Sequence, residues 1–340
     1  MHSTNIGMER AASSIAAITA QWHVGPRRGG DSTSDVACAE PSWARITTGE
    51  REIPPARVYH TAVAGAHTDY LVFGGSSVSA GFLSDLWQLN VTGPATGLWQ
   101  RVLPKPGERP PPRAGHTAAL WEGRMVVFGG RNSESVLNDV WVYDVEASEW
   151  SQAHAGGAAC SAAGSCPSPR TNHAAVLLEG DLLLVNGGSS ADGTDLNDSW
   201  LLHLPSSTWT PAPSIASPAP RHGHAMWSTA SLEGAVLYGG QAGTLPSSPF
   251  WGDTWAWCAS KAGSLRGGMG ALGSWVKVQN ASYAPHGGAP QPRAYVAAAG
   301  AAGRNLLFGG FSGYQGGLND ELHQDTWALN ASFILKRACL

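Results

Sequence analysis

Five arginines, Arg57, Arg113, Arg170, Arg221 and Arg293, are matched one for one by five aspartates, Asp85, Asp139, Asp198, Asp253 and Asp325. A guanidinium is planar and carries paired N–H donors that fit a carboxylate or backbone carbonyls. The matching therefore predicts five ion pairs, each formed within one repeat or with its neighbour. Histidines at 60, 116, 173 and 224 follow four of these arginines by three residues, and Val296 takes the fifth place. Four evenly spaced imidazoles invite a metal site, but even spacing spreads them over separate repeats, too far apart to share one ion at ~2.0–2.1 Å. Structural roles are expected, with no metal and no other cofactor. Arg131 and Asn132 are different because neither recurs.

The elements that position these residues recur with them. Each Arg is followed by a glycine pair: Gly74 and Gly75, Gly129 and Gly130, Gly187 and Gly188, Gly239 and Gly240, Gly309 and Gly310. The second glycine lies 18, 17, 18, 19 and 17 residues after the Arg. From that glycine to the Asp the gap is 10, 9, 10, 13 and 15, so this connection tolerates insertion as a surface loop does. A tryptophan, Trp87, Trp141, Trp200, Trp255 or Trp327, always stands two after the Asp, and Trp99, Trp150, Trp209 and Trp275 follow later. Within the second copy, "HTAALW" and "RMVVFGG" read as strands joined by a tight "EG" hairpin, and "VWVYD" alternates with period two before "EASEW" turns into a fourth strand. One such sheet cannot bury two apolar faces. Sheets stacked face to face around a ring can, which predicts an all-β propeller.

The double glycine after the second strand and the spaced aromatic pair resemble the kelch repeat, over about residues 43 to 335. The resemblance implies a kelch-type propeller of four-stranded antiparallel blades, with repeats near 57–99, 113–150, 170–209, 221–275 and 293–335. Residues 1–40, rich in Ser, Ala and Gly, are expected to be a disordered tail, and 41–340 the propeller. The last copy lacks a second Trp, so the segment 43–47, beginning at Trp43, is expected to complete the fifth blade. Completion by 332–338, or a fragment of a six-bladed ring, is the alternative. The ten paired glycines are expected to supply positive φ and close approach between blades, and the tryptophans to pack between blades.

Kelch-type enzymes set tests that these residues fail. Glu321 and Asp325 match a specifier-protein iron pattern at the four-residue step, but Leu329 stands where the His belongs, and no Cys sits beside an oxidase-like set of Tyr and His. A sugar-acid epimerase offers no local motif to check. A non-catalytic interaction scaffold is expected instead, with an adhesion or receptor fragment as a further alternative. In peptide-binding domains of this family the partner meets the loops after the second and fourth strands. By position those loops include Ser76, Arg131, Asn132, Ser189, Gln241 and Phe311 after the glycine pairs, and Tyr59, Asn172, His222 and Tyr295 beside the repeat Arg. "GGRN" at 129–132 resembles the form that holds acidic peptides, so the partner is an unidentified protein or peptide, of acidic character.

Bulk properties exclude other partners. A net charge of −4 and a pI near 6.3 leave no basic face for nucleic acid, and no apolar run approaches the ~18 residues of a membrane span. Cys160 and Cys166 could close a small disulfide loop or remain two thiols. Glycosylation patterns occur at Asn90, Asn197, Asn280 and Asn330, yet residues 11–20 make a poor secretory signal. The cytoplasm is favoured over the secretory route.

Overall fold

A computed structural model of the chain describes residues 46–48, 52–65, 69–93, 95–179, 181–212, 214, 216–228, 234–243, 249–258, 273–278, 290–301, 304–312, 321–322, 325–329 and 339. The tail 1–40, Trp43, the segment 332–338, Asn280 and Asn330 lie outside them.

The fold is all-β, built of antiparallel blades around a ring. The first blade runs Thr61–Ala64, Asp69–Phe73, Leu86–Gly93 and Thr96–Val102, and the second Thr117–Trp121, Arg124–Arg131, Val136–Asp144 and Glu149–His154. The third comprises Ala174–Leu178, Leu182–Ser189, Asp195–His203 and Thr208–Pro211. The fourth comprises Ala225–Ser228, Gly234–Tyr238, Thr254–Cys258 and Ser274–Lys277. Three strands of the fifth are described, Ala297–Ala301, Arg304–Phe308 and Thr326–Leu329. The "EG" hairpin forms as its sequence demands, with Glu122 and Gly123 both at positive φ, the geometry of a two-residue turn that matches strand twist.

Of the segment 43–47, residues 46 and 47 are described. Its described end belongs to a short strand, Thr47–Thr48, that pairs parallel with Thr96 and Gly97 on the rim of the first blade. It does not extend the described sheet of the fifth. The reason is local: Ile46 packs where Gly97 has no side chain, its Cγ2 3.0 Å from the place a Cβ would occupy, so the outer strand accepts a neighbour there.

Apolar side chains meet between blades rather than only within them. Phe73 and Leu86 of the first blade pack with Met125, Val127, Trp141 and Tyr143 of the second. Later tryptophans reach back across the same junctions: the Trp150 ring lies 5.0 Å from Phe73, and Trp209 4.8 Å from Phe128. Trp275 adds a polar tie, its Nε1–H donating to Ser199 Oγ of the third blade at 2.9 Å.

The repeat arginines join blade to blade. Each pairs bidentately with the Asp of its own repeat, at 2.6 Å for Arg57 and Asp85 and 2.7 Å for Arg113 and Asp139, and the Arg293–Asp325 pair has the same form. Arg170 and Arg221 hold Asp198 and Asp253 in the same way. The Asp–Trp spacing of two has a chemical reason. Residues two apart share a strand face, and the indole N–H donates to the carboxylate in Trp87, Trp141, Trp200 and Trp255 at 2.6–2.8 Å.

The two glycines of each pair divide the work around these arginines. The first, Gly74, Gly129, Gly187, Gly239 or Gly309, presents its carbonyl to Nη1 of the Arg in its own repeat, at 2.9–3.1 Å. The second faces the next blade. Gly75, Gly130, Gly188 and Gly240 donate their N–H groups to the carbonyls of Arg113, Arg170, Arg221 and Arg293. The N–H of each of these arginines is returned to the earlier blade, as Arg113 N donates to Leu83 O. All ten glycines adopt positive φ, as expected: 62–71° at the first position, and 94–97° at the second, Gly310 included. At Gly130 a side chain is also excluded by space, because a Cβ would meet Ala114 O at 2.8 Å and His116 Cβ at 2.9 Å.

Two disulfides are present, Cys160–Cys166 and Cys258–Cys339, with Cα atoms 5.4 Å apart in each. Asn138 holds the first loop, donating to Pro167 O and accepting from Gly157 N. Among the described residues no helix is long and apolar enough to cross a membrane.

Candidate functional site

The two sets of loop residues that the sequence singles out are brought together by one device. In every blade the residue after the glycine pair bridges antiparallel to the residue after the repeat Arg: Ser76 with Val58, Arg131 with Ala114, Ser189 with Thr171, Gln241 with His222, and Phe311 with Ala294. Both backbone hydrogen bonds of each bridge form, at 2.8–3.0 Å.

One residue further on, the blades form a chain of their own. Gly115 N donates to Tyr59 O, Asn172 N to Gly115 O, Gly223 N to Asn172 O and Tyr295 N to Gly223 O, at 2.7–2.9 Å. All five adopt left-handed φ between 54° and 65°, a strained region for Tyr and Asn that such clusters of fixed hydrogen bonds can maintain. Glycine at 223 leaves the floor on which the Tyr295 ring lies, 3.0 Å from where a Cβ would be. The Tyr295 ring meets Tyr59 edge-on at 5.8 Å, so first and fifth blades touch at the centre of this face. Burial pushes the Tyr295 hydroxyl well above its ordinary pKa, with Tyr59 and Asp195 adding to the shift.

Side chains around this centre differ from blade to blade. In the first, Ser76–Ser77 and Gly81–Phe82 form a small hairpin with Val78 exposed at its tip. In the second, Arg131 is exposed and its guanidinium lies 6.0 Å from the Phe82 ring centre. The oxygen of Asn132 is already used, accepting from Glu134 N and Ser135 N to fold the loop 132–135. In the third, Ser189 Oγ donates to Asp195 Oδ1 at 2.8 Å. In the fourth, His222 Nδ1 lies 2.6 Å from the same carboxylate oxygen, and Gln241 Nε2 lies 2.9 Å from His222 Nε2. In the fifth, Phe311 packs edge-on to Phe250 at 5.4 Å.

Sequence reasoning missed Gly115, Gly223, Phe82 and Asp195. Aligning every copy at the second residue after Arg would have found the two glycines. Nothing local marks Asp195, because only the packing of the third blade against the fourth brings it to His222.

The repeated histidines sit one layer deeper. His116 Nε2 hydrogen-bonds Thr61 Oγ1, and His173 Nε2 hydrogen-bonds Thr117 Oγ1, both at 2.8 Å and both across a blade junction. Burial, with the nearby repeat arginines, lowers their pKa values, to about 4 for His60 and about 3 for His224, so these rings are neutral at pH 7. Asp325 of the incomplete iron pattern is engaged by Arg293.

A family model described as the KLHDC2/KLHL20/DRC7 Kelch-repeats domain matches residues 28–240. The chain belongs to the kelch-repeat family. Its kelch match begins inside the segment expected to be a tail. Adagio-like protein 3 of Oryza sativa subsp. japonica is 34% identical over 190 residues, covering 54% of this chain and 28% of that protein. Adagio protein 3 of Arabidopsis thaliana is 33% identical over 205 residues, covering 59% and 31%. The flagellar outer arm dynein alpha chain of Chlamydomonas reinhardtii is 30% identical over 164 residues, covering 47% and 3%. The chain thus spans less than a third of the length of each of these relatives. Kelch repeats are typically protein-interaction modules.

Proposed function

We propose that this chain is a non-catalytic module whose loop face holds an acidic segment of a protein partner. The observation that carries the reading is the contrast between backbone and side chains on that face. The same bridge recurs in five blades, while the side chain at that position changes around the ring: serine at 76 and 189, then Arg131, Phe311 and a buried Gln241. A rigid backbone with blade-specific side chains is the arrangement expected of recognition, since loops held by a scaffold are free to vary in sequence. Arg131 supplies the chemistry. Its guanidinium is exposed and lies over the Phe82 ring, so it offers forked donors to a carboxylate beside an aromatic side chain. Tyr59, Asn172 and Tyr295 form the centre against which the segment packs.

Fluorescence anisotropy with a labelled hexaglutamate peptide tests the reading. Replacing Arg131 with Ala is expected to weaken binding about tenfold, the loss of one charge-assisted contact. Equal affinity in wild type and R131A would refute the acidic-partner assignment.

A further inference from the structure

Asp195, His222 and Gln241 form a cluster that the architecture does not require, since none of the three recurs in the other blades. The Asp195 carboxylate is nearly enclosed, its side chain 6% exposed, and that of His222 is 10% exposed. Three donors from two blades converge on Asp195: Ser189 Oγ, the His222 ring and Gly243 N. The carboxylate thereby ties the loop after the third blade's second strand to the loop that begins at Gln241. Other charged or titratable groups facing His222 are His224 in its own blade and Tyr295 in the fifth, while Arg221 beside it in the chain turns its guanidinium to Asp253.

The hydrogen-bond roles inside this cluster are incomplete in one specific way. With a single proton on the imidazole, Nδ1–H donates to Asp195 and Nε2 accepts from the Gln241 amide N–H. That leaves Gln241 Oε1 buried and without a hydrogen-bond partner, a costly state for an amide oxygen. A second proton on the ring reverses the roles. Nε2–H then needs an acceptor, and half a turn of the Gln241 amide brings Oε1 to it. The NH2 group moves to the place that Oε1 held, so that end of the cluster changes from acceptor to donor, while the imidazolium charge is held by Asp195.

We propose that Asp195, His222 and Gln241 are a proton-operated latch that sets the affinity of the loop face for an acidic partner. The proposal rests on the assignment of that face as the binding face. Protonation adds a positive charge beneath the loop face, which favours a bound carboxylate. By reciprocity, a bound carboxylate favours the protonated latch, so binding tightens as pH falls.

The test combines two measurements on the full chain between about pH 8 and about pH 6. Hexaglutamate affinity is expected to rise about fivefold or more over this interval, the size of an ordinary coupling between sites. In His222→Asn, whose amide keeps a donor for Asp195 but takes up no proton, the affinity is expected to stay flat. Nitrogen-15 NMR should show the His222 ring and the Gln241 side-chain amide moving together in the wild type. A wild-type affinity that is constant or falls with decreasing pH, or an undiminished pH response in His222→Asn, overturns the latch. If the peptide binds at neither pH, the acidic-partner reading fails and NMR alone decides: joint movement of His222 and Gln241 supports the latch, and independent or absent movement overturns it.

Discussion

Arg113 and Arg131 belong to the same blade and their neighbourhoods are joined by one backbone bridge, yet they are used in opposite ways. Arg113 is fully buried, and its guanidinium is spent on Asp139, the Gly129 carbonyl and the Pro111 carbonyl. Arg131 is exposed beside Phe82. One arginine is structural because its donors are consumed inside the fold, and the other is available because its donors face outward. Repetition separates them in advance: a residue needed in every blade serves the ring, and a residue found in one blade is free to serve a ligand.

The comparison can be broken from its structural end first. Asp139→Ala leaves the Arg113 guanidinium buried without its counter-charge and removes the acceptor of the Trp141 indole, so a loss of about 3–5 kcal/mol is expected. Chemical denaturation would measure it, and a loss under about 1 kcal/mol, the range of exposed pairs, would erase the distinction.

Acid should then act on the buried layer before it acts on the ion pairs. His60 and His224 have folded-state pKa values below the ordinary histidine value, so the unfolded chain binds more protons between the two. Their stabilising contribution is complete above about pH 6.5 and declines as pH falls toward about 4 and about 3, by up to about 1.4 kcal/mol per pH unit for each ring. Burial would raise the Asp85, Asp198 and Asp253 carboxyls, but hydrogen bonds from Arg57, Arg170 and Arg221 and from the paired tryptophans outweigh it and hold them below the ordinary value. Their contribution is present above the unfolded carboxylate range and is lost only as pH falls through the lower folded values. Melting temperature should therefore begin to drop below about pH 6.5, well before carboxylates titrate. A flat profile down to about pH 4.5 would remove the histidines from the structural set.

The smallest effect is expected at the other arginine. Arg131→Ala, proposed above to weaken peptide binding, should change stability by no more than about 0.5 kcal/mol, as an exposed substitution outside the frame does. A larger loss would place Arg131 with Arg113.

Much of this division was legible in the residues themselves. The Arg–Asp pairs, the glycine pairs and the inter-blade tryptophans announce themselves because each of five blades must solve the same packing problem with the same residue types. What the spacing of the glycines did not disclose is their division of labour, a carbonyl turned to the blade's own Arg from Gly129 and an N–H turned to the next blade's Arg from Gly130. The loop face was legible by position, since Ser76, Arg131, Ser189, Gln241 and Phe311 follow the glycine pairs in order. What joins Asp195 to His222 was not legible, because those residues stand 27 apart in different blades and no periodicity connects them. The edge on which Thr47 pairs was not legible for a related reason. The segment's likeness to an outer strand was real, but likeness does not say which blade's edge will receive it, and the bare backbone at Gly97 decided that. Cys258 and Cys339 likewise meet only because the chain returns to the fourth blade.

The sequence by itself determined the repeating unit, its glycine corners, its buried charges and the number of copies described, because local sterics and the need to neutralise each buried guanidinium act within one repeat. Only the tertiary structure decided the neighbours: which backbone carbonyl each arginine's blade receives, how Tyr295 comes to lie against Tyr59, and where a buried carboxylate meets a histidine. Those contacts depend on the angle at which one twisted sheet stacks on the next, a property of whole blades that no single stretch of residues carries.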